Sequence, residues 1–289
     1  MIESFDLVFY HQPCFDGAAS AWVVQCWAQE NKIPIIFRGY PYNKKDCPPD
    51  IEGKKLLFLD LTFEEKIMKE ILEKAAFVTI LDHHKTAIES SVLKHPKCNL
   101  VFDLDRSGAQ ITWDVFYPGK PRPLIIDYIG DRDLWQFKLP SSREINAVIL
   151  ASTPTIEDIH ILYTYWNTDK FISDGTKLLA QKLKVLEDLA LNFFWALMPD
   201  PENKEKYKIL IGPCPGEFRS DLGDFLNKKY SPDFVALYSE TYDMKYSVSF
   251  RGQGKVDCSR LAKFFGGGGH FNAAACITEN LNFCSFLVG

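Results

Sequence analysis

Leu81-Asp82-His83-His84-Lys85 places one carboxylate and two adjacent imidazoles directly after a short apolar run, Ala75 to Leu81. Those side chains bind divalent cations, and a cation held there meets a phosphate. Three more segments share the design. His11, with Cys14 and Asp16 close behind, follows Leu7-Val8-Phe9-Tyr10. Asp60 follows Lys55-Leu56-Leu57-Phe58-Leu59, and Asp131 and Asp133 fall within Ile129-Gly130-Asp131-Arg132-Asp133-Leu134-Trp135. Taken singly, Asp60 reads equally as a helix cap and Asp131 and Asp133 as solvated charges, while His11 alone reads more readily as a core histidine. Four of the six histidines (His11, His83, His84, His270) nevertheless fall in motif-like positions, which argues for a shared site. The imidazole and carboxylate set has the hardness that suits Mn2+, ahead of Mg2+, Co2+ or Zn2+.

The elements that must carry these residues alternate strand and helix through the first half. Strands are expected at Leu7–Tyr10, Ile35–Arg38, Lys55–Leu59, Phe77–Leu81 and Leu100–Phe102, with helices opening at Gly17 and covering Phe63 to Lys74. That rhythm implies right-handed crossovers and a mostly parallel sheet, whose ligands gather at the carboxyl ends of its strands. A helical region follows from about Leu124 to Leu197, ending in one long helix, Gly175 to Leu197. Pro199-Asp200-Pro201-Glu202-Asn203 reads as a turn and a domain border. Beyond it come strands at Lys208–Ile211, Phe234–Tyr238 and Tyr246–Arg251, a short helix Asp257–Phe265, four glycines, and an alanine-rich helix. The fold class is therefore α/β. A mostly parallel sheet flanked by helices covers residues 1–150, a helical linker 151–203, and a smaller α/β domain with a mixed sheet 204–289.

Composition narrows the function. No apolar stretch approaches the roughly 20 residues of a membrane span, and the first residues lack a signal-peptide pattern. A net charge of −5 disfavours a long duplex and fits a small phosphorylated substrate. The eight cysteines are scattered, several inside apolar segments (Cys26, Cys276, Cys284), as expected for reduced thiols in a cytoplasmic protein. No C-x-x-C pair points to structural zinc.

Two segments read as substrate-side. Gly266 to Gly269, followed by His270, would let a phosphate approach backbone N–H groups and a helix N-terminus; the alternative is a flexible connection. Arg251, ahead of Gly252-Gln253-Gly254, offers a guanidinium fork for phosphate, or is a solvated strand end. Arg251, Gly267, Gly268, Gly269 and His270 are the candidate substrate contacts. Ser107-Gly108-Ala109 starts a helix that would support the site.

In this combination the chain resembles the DHH phosphoesterase superfamily. The segments that carry the likeness are Tyr10-His11-Gln12-Pro13-Cys14-Phe15-Asp16-Gly17, Phe58-Leu59-Asp60, Leu81-Asp82-His83-His84 and Gly130-Asp131-Arg132-Asp133. Gly266 to Ala274 is similar to the glycine-rich motif of the associated DHHA1 domain. The resemblance covers essentially the whole chain and implies a DHH domain over 1–150 and a DHHA1-like domain over 204–289. It implies two Mn2+ ions. One would sit on His11, Asp60 and Cys14, and the other on Asp16, Asp60, His83 and Asp131, with Asp60 bridging and Asp133 the alternative to Asp131. Asp82 would orient an imidazole and His84 would face the substrate phosphate, the pair forming the catalytic set. The chain departs from the pattern at Cys14, where most relatives carry Asp, and at Ala275, where Gly is common. A thiolate at Cys14 would favour softer ions; packing without ligation is the alternative. The implied activity is a phosphodiesterase of the nanoRNase and cyclic-nucleotide branch, acting on short oligoribonucleotides or cyclic (di)nucleotides. A pyrophosphatase-type phosphohydrolase and a non-catalytic phosphate-binding scaffold are the alternatives, and a homodimer is compatible with any of them.

Overall fold

Five short apolar segments form a parallel sheet in the first part of the chain: β1 (Leu7–His11), β2 (Ile36–Tyr40), β3 (Lys55–Leu59), β4 (Phe77–Asp82) and β5 (Cys98–Phe102). They lie in the order β2-β1-β3-β4-β5. The computed structural model describes residues 4–41, 46–84, 94–203, 205–282 and 284–286, so the first three residues and Lys85 of the motif above fall outside it. The chain divides into two compact units, Met1–Leu179 and Ala180–Gly289.

Alternate strand residues of the first unit enter different cores. Val8, Tyr10, Leu57, Leu59 and Leu81 pack with α1 (Phe15–Asn31) and α3 (Gly108–Phe116). Leu7, Phe9, Leu56, Phe58, Val78 and Ile80 pack with α2 (Glu65–Lys74). Burial on both faces is why these strands read as continuous apolar runs rather than alternating ones. From β1 the chain crosses to β2 on one side, then to β3 on the other. The connections therefore diverge between β1 and β3, the switch point at which open α/β sheets hold ligands. His11 and Asp60 stand at its two lips. Gly17 lets α1 start this close, because a Cβ there would lie 2.2 Å from the His11 carbonyl oxygen.

The expected helical region is four helices: α4 (Leu124–Asp133), α5 (Ser142–Leu150), α6 (Ile156–Thr164) and α7 (Thr168–Ala190). The unit border falls inside α7, not at Pro199. The helix expected to reach Leu197 stops at Ala190, and Phe194–Pro199 is strand β6. A short apolar run is ambiguous between helix and strand, and here Ala196 and Met198 are taken into a sheet core. Asp200 to Asn203 then turns β6 into antiparallel β7 (Lys206–Pro213), so the presumed border is a hairpin. The Asp200 carboxylate accepts from the backbone N–H of Glu202 and from Arg260, which fixes that turn.

The second unit is a seven-stranded mixed sheet in the order β10-β11-β9-β8-β7-β6-β12. Its other strands are β8 (Phe234–Glu240), β9 (Tyr246–Gly252), β10 (Gly268–His270), β11 (Ala273–Thr278) and β12 (Ser285–Phe286). One face packs on α9 (Cys258–Phe264), the other on α8 (Arg219–Tyr230) and the end of α7. The alanine-rich segment expected as a helix is strand β11, paired with β9 and β10. All eight cysteines are unpaired. Among the described residues no helix is long and apolar enough to cross a membrane.

Candidate metal centre

The carboxyl ends of β1, β3 and β4 bring His11, Asp60, His83 and His84 together. Asp60, 1% exposed, sits just past β3 with φ +52°, a left-handed conformation that a non-glycine residue adopts only where its surroundings impose it. Its carboxylate looks both ways. Oδ2 lies 3.2 Å from His11 Nδ1 and accepts from Cys14 Sγ at 3.5 Å. Oδ1 lies 3.3 Å from His83 Nε2 and 3.5 Å from His84 Nδ1. Asp60 Oδ1 and His83 Nε2 are both buried with no partner in hydrogen-bond geometry. Two orphaned buried polar atoms this close are expensive unless a third group completes them, and a cation would.

Asp16 and Asp133 close the far side. His83 Nε2 is 3.3 Å from Asp133 Oδ2 and 3.9 Å from Asp16 Oδ2. Two donor sets result, His11–Cys14–Asp60 and Asp16–His83–Asp133, with a further group Asp60–His83–His84 between them. The residues therefore fit a pair of divalent cations sharing Asp60.

Asp131 does not join them. Its carboxylate accepts from the backbone N–H groups of Lys138 at 2.9 Å and Leu139 at 3.2 Å, tying down the loop after α4. Residues two apart on a helix point to nearly opposite sides, so only one of Asp131 and Asp133 can face the site. The ligand expected at Asp131 is thus corrected to Asp133.

Supporting groups hold the ligands. Buried Asp82 accepts from His84 Nδ1 at 2.8 Å, from the backbone N–H of His83 at 2.7 Å, and from Thr62 Oγ1 at 2.5 Å. Asp16 accepts from the N–H groups of Gly108 at 2.6 Å and Ala109 at 3.1 Å, the first turn of α3. A capping box between Ser107 and Gln110 sets that turn, and the helix N-terminus favours the carboxylate's charge. Ser107-Gly108-Ala109 was expected to support the site; that it does so by holding Asp16, and that Thr62 holds Asp82, had no signal in the sequence. Gly108 has no room for a side chain, since a Cβ would lie 2.8 Å from Asp60 Cβ and 2.9 Å from Asp16 Oδ2. Gly108→Ala is expected to destabilise the protein by about 1–3 kcal/mol and to weaken cation binding. Chemical denaturation and calorimetric titration with Mn2+ measure both; unchanged values would mean that the turn is not packed on the two aspartates.

The site's charges are mutually dependent. Burial opposes charging of His83, yet Asp60, Asp16 and Asp133 together hold its pKa up at about 10. Burial likewise opposes charging of His84, but Asp82 and Asp60 raise it to about 8. Burial, then Asp133 and Asp60, push Asp16 well above the usual carboxylate range, and burial and Asp60 raise Asp133. Asp60 itself is lowered: burial works against its charge, but the imidazoles of His11, His83 and His84 outweigh it. Without a cation the site thus stores protons. The stability that His84 and His83 contribute is complete below their ordinary value of 6.5 and is lost as pH rises through about 8 and about 10, respectively. The metal-free protein should therefore lose thermal stability between pH 6.5 and 8, while a bound cation replaces those protons. The rise in Tm on adding Mn2+ should grow over that window. A rise independent of pH would place the cation elsewhere.

In the second unit, Arg251 ends β9 with its side chain against Gly223, and its Nη1 donates to the Phe250 carbonyl. Its pKa is lowered by burial and then by the neighbouring Arg219, whose guanidinium bonds Ser239, Ser247 and Ser249. Gly267 and Gly269 are needed by the hairpin itself. A Cβ on either would lie 2.1 Å from the Ala275 oxygen or 2.6 Å from the Ala273 oxygen. Gly268 pairs with Ala275, and His270 is an exposed residue opposite Ala273. The helix N-terminus expected behind the glycines is absent, because strand β11 follows.

No family model matches the chain. An uncharacterized protein, R106, of Acanthamoeba polyphaga mimivirus is 28% identical over 303 residues, covering 98% of this chain and 69% of that protein. Among solved structures, RecJ from Thermus thermophilus in complex with Mn2+ superposes with a TM-score of 0.57 at 16% identity, over 96% of this chain and 50% of that one. An exopolyphosphatase-related protein from Bacteroides fragilis gives 0.52 at 14%, over 96% and 88%. PggH of Vibrio cholerae, a pGpG-specific phosphodiesterase, gives 0.50 at 11%, over 95% and 93%. At these identities the likeness establishes the architecture. The chain shares its fold with these three proteins.

Proposed function

We propose that this protein is a two-cation phosphodiesterase of short oligoribonucleotides or cyclic (di)nucleotides, with Mn2+ as its preferred ion. The observation that carries the reading is Asp60, buried, with each carboxylate oxygen facing a different donor set. Phosphodiester chemistry at such a pair is supported by the fold's occurrence in a pGpG-specific phosphodiesterase and in RecJ bound to Mn2+. His11, Cys14 and Asp60 would hold one ion, and Asp16, Asp60, His83 and Asp133 the other. When bound, the pair supplies charge for the phosphate oxygens and acidifies a water at neutral pH.

The protein's own groups do the rest. Asp60 fixes the separation of the two donor sets. Asp82 engages His84 Nδ1, which sets the ring's orientation and directs Nε2 as the atom for a phosphate oxygen or the leaving group. A cavity of about 230 Å³ lined by Pro13, Cys14, Phe15, Asp16, Arg132 and Asp133, among others, adjoins the second donor set. It supplies a cationic guanidinium beside the carboxylates where a phosphorylated substrate would enter. Arg251 and His270 are proposed to bind the substrate's phosphates; the glycines act by shaping the hairpin that carries His270.

The test is a Mn2+-supplemented panel of pApA, longer RNA, cyclic dinucleotides, cAMP and pyrophosphate, resolved by chromatography. Fastest turnover is expected on the dinucleotide to pentanucleotide or cyclic dinucleotide members. Preference for pyrophosphate would overturn the substrate class, and no metal-dependent turnover of any phosphoester would overturn the enzyme.

A further inference from the structure

We propose that the two cation positions are unlike. The His11–Cys14–Asp60 set takes a thiolate-bound, borderline-soft ion of the Zn2+ class, while the Asp16–His83–Asp133 set takes a hard ion such as Mn2+ or Mg2+, so the working centre is mixed-metal. The inference rests on the two-cation reading above, keeps Mn2+ at the Asp16–His83–Asp133 set, and replaces it at the Cys14 side by an ion of the Zn2+ class.

Three observations carry it. First, the Cys14 side chain faces the centre. It occupies the N-cap position of α1, with extended backbone (φ −149°, ψ 137°), yet makes no capping bond to the helix. Asp, Asn, Ser or Thr would normally stand there and satisfy a first-turn N–H. Instead Sγ points at Asp60 Oδ2, 3.5 Å away, and is not in a disulfide. Second, the ligand atoms of His11, Cys14 and Asp60 fall within 4.8 Å of one another, giving one nitrogen, one sulfur and one oxygen. That set matches the tetrahedral N/S preference of Zn2+ with a position left over. Third, the other set contains no sulfur: two carboxylates and one imidazole converge there, with His83 Nε2 and Asp60 Oδ1 buried and unpartnered between the sets. Those are donors for a hard or borderline ion.

Sulfur thus appears on one side only. When an ion enters that side, the S–H bond breaks, its proton passes to solvent, and a sulfur–metal bond forms. A protein with carboxylate in place of Cys14 would have no such asymmetry.

The experiment uses the full chain freed of metal, with Co2+ as the spectroscopic probe. The first equivalent is expected to produce a near-ultraviolet sulfur-to-cobalt charge-transfer band. Zn2+ should bleach that band stoichiometrically, while Mn2+ at the same concentration leaves it. Loading with equimolar Zn2+ and Mn2+, then measuring bound metal, should give one of each per chain. In Cys14→Asp the band should vanish and Zn2+ affinity at that site should fall at least about tenfold, with two Mn2+ bound instead. Cys14→Ser, checked for native circular dichroism, repeats the spectral test without adding charge. A band that survives in both variants, or cobalt binding to the native protein without the band, overturns sulfur ligation while leaving two cations in place. Two equivalent Mn2+ in the native protein under competition overturns the mixed centre. No binding of any divalent ion would instead overturn the two-cation reading on which this one stands.

Discussion

Asp60→Asn is expected to lose both cations together and to lower turnover of bis-p-nitrophenyl phosphate by at least about 10³-fold. Asparagine is the informative replacement. It keeps the side chain's shape, and it is among the few residues that tolerate the φ of +52° found here. A failure to bind ions will therefore report the lost charge and not a misplaced strand end. The two sites fall together because Oδ2 serves the His11–Cys14 side and Oδ1 the His83 side. Losing the carboxylate also removes the group that raises His83 most, so its pKa should drop from about 10. Titration of the ring by NMR in the metal-free variant checks this. Retention of one ion at native affinity would show that Asp60 belongs to a single site.

Much of this arrangement was legible because a parallel sheet separates scaffold from chemistry. The strand runs Leu7–Tyr10, Lys55–Leu59 and Phe77–Leu81 are largely buried on both faces, so apart from Lys55 at a strand start and Thr79 they stay apolar until they end. The first polar residue after each run then stands out, and His11, Asp60 and Asp82 were readable one by one. The second unit was less legible. Phe194–Leu197 continues the apolar spacing of α7, and nothing local says that Ala196 and Met198 will be pulled into a sheet by β7. Ala273-Ala274-Ala275 has high helix propensity, but those residues pair with His270, Gly269 and Gly268, and the glycines of that hairpin leave no room for larger side chains between the two strands. Support from outside the motifs was legible only in outline: Ser107-Gly108-Ala109 was expected to back the site, but not which ligand it holds. Thr62 reaches Asp82 and the α3 N-terminus reaches Asp16 across 20 and 92 residues of sequence, and no spacing rule links them.

The choice between Asp131 and Asp133 is the case where sequence was silent and geometry decides, and the two residues should fail in opposite ways. Asp133→Asn is expected to leave the metal-free fold intact or slightly stabilised. Asp133 is exposed as a residue, yet desolvation and then the facing Asp60 push its carboxyl up, so removing its charge relieves a like-charge contact. It should cost the His83-side cation and with it at least about 10²-fold in turnover. Asp131→Asn should do the reverse. Its carboxylate accepts from two backbone N–H groups of the loop that follows α4, and a neutral amide replaces only part of that, at a cost of about 1–2 kcal/mol. Cation stoichiometry should stay at the native value. The two measurements are a denaturant melt of the metal-free protein and a count of bound Mn2+. Loss of a cation in Asp131→Asn with a native melt, and no loss in Asp133→Asn, would return the ligand role to Asp131. That result would require α4 to turn by nearly half a rotation about its axis, because side chains two apart cannot share one face.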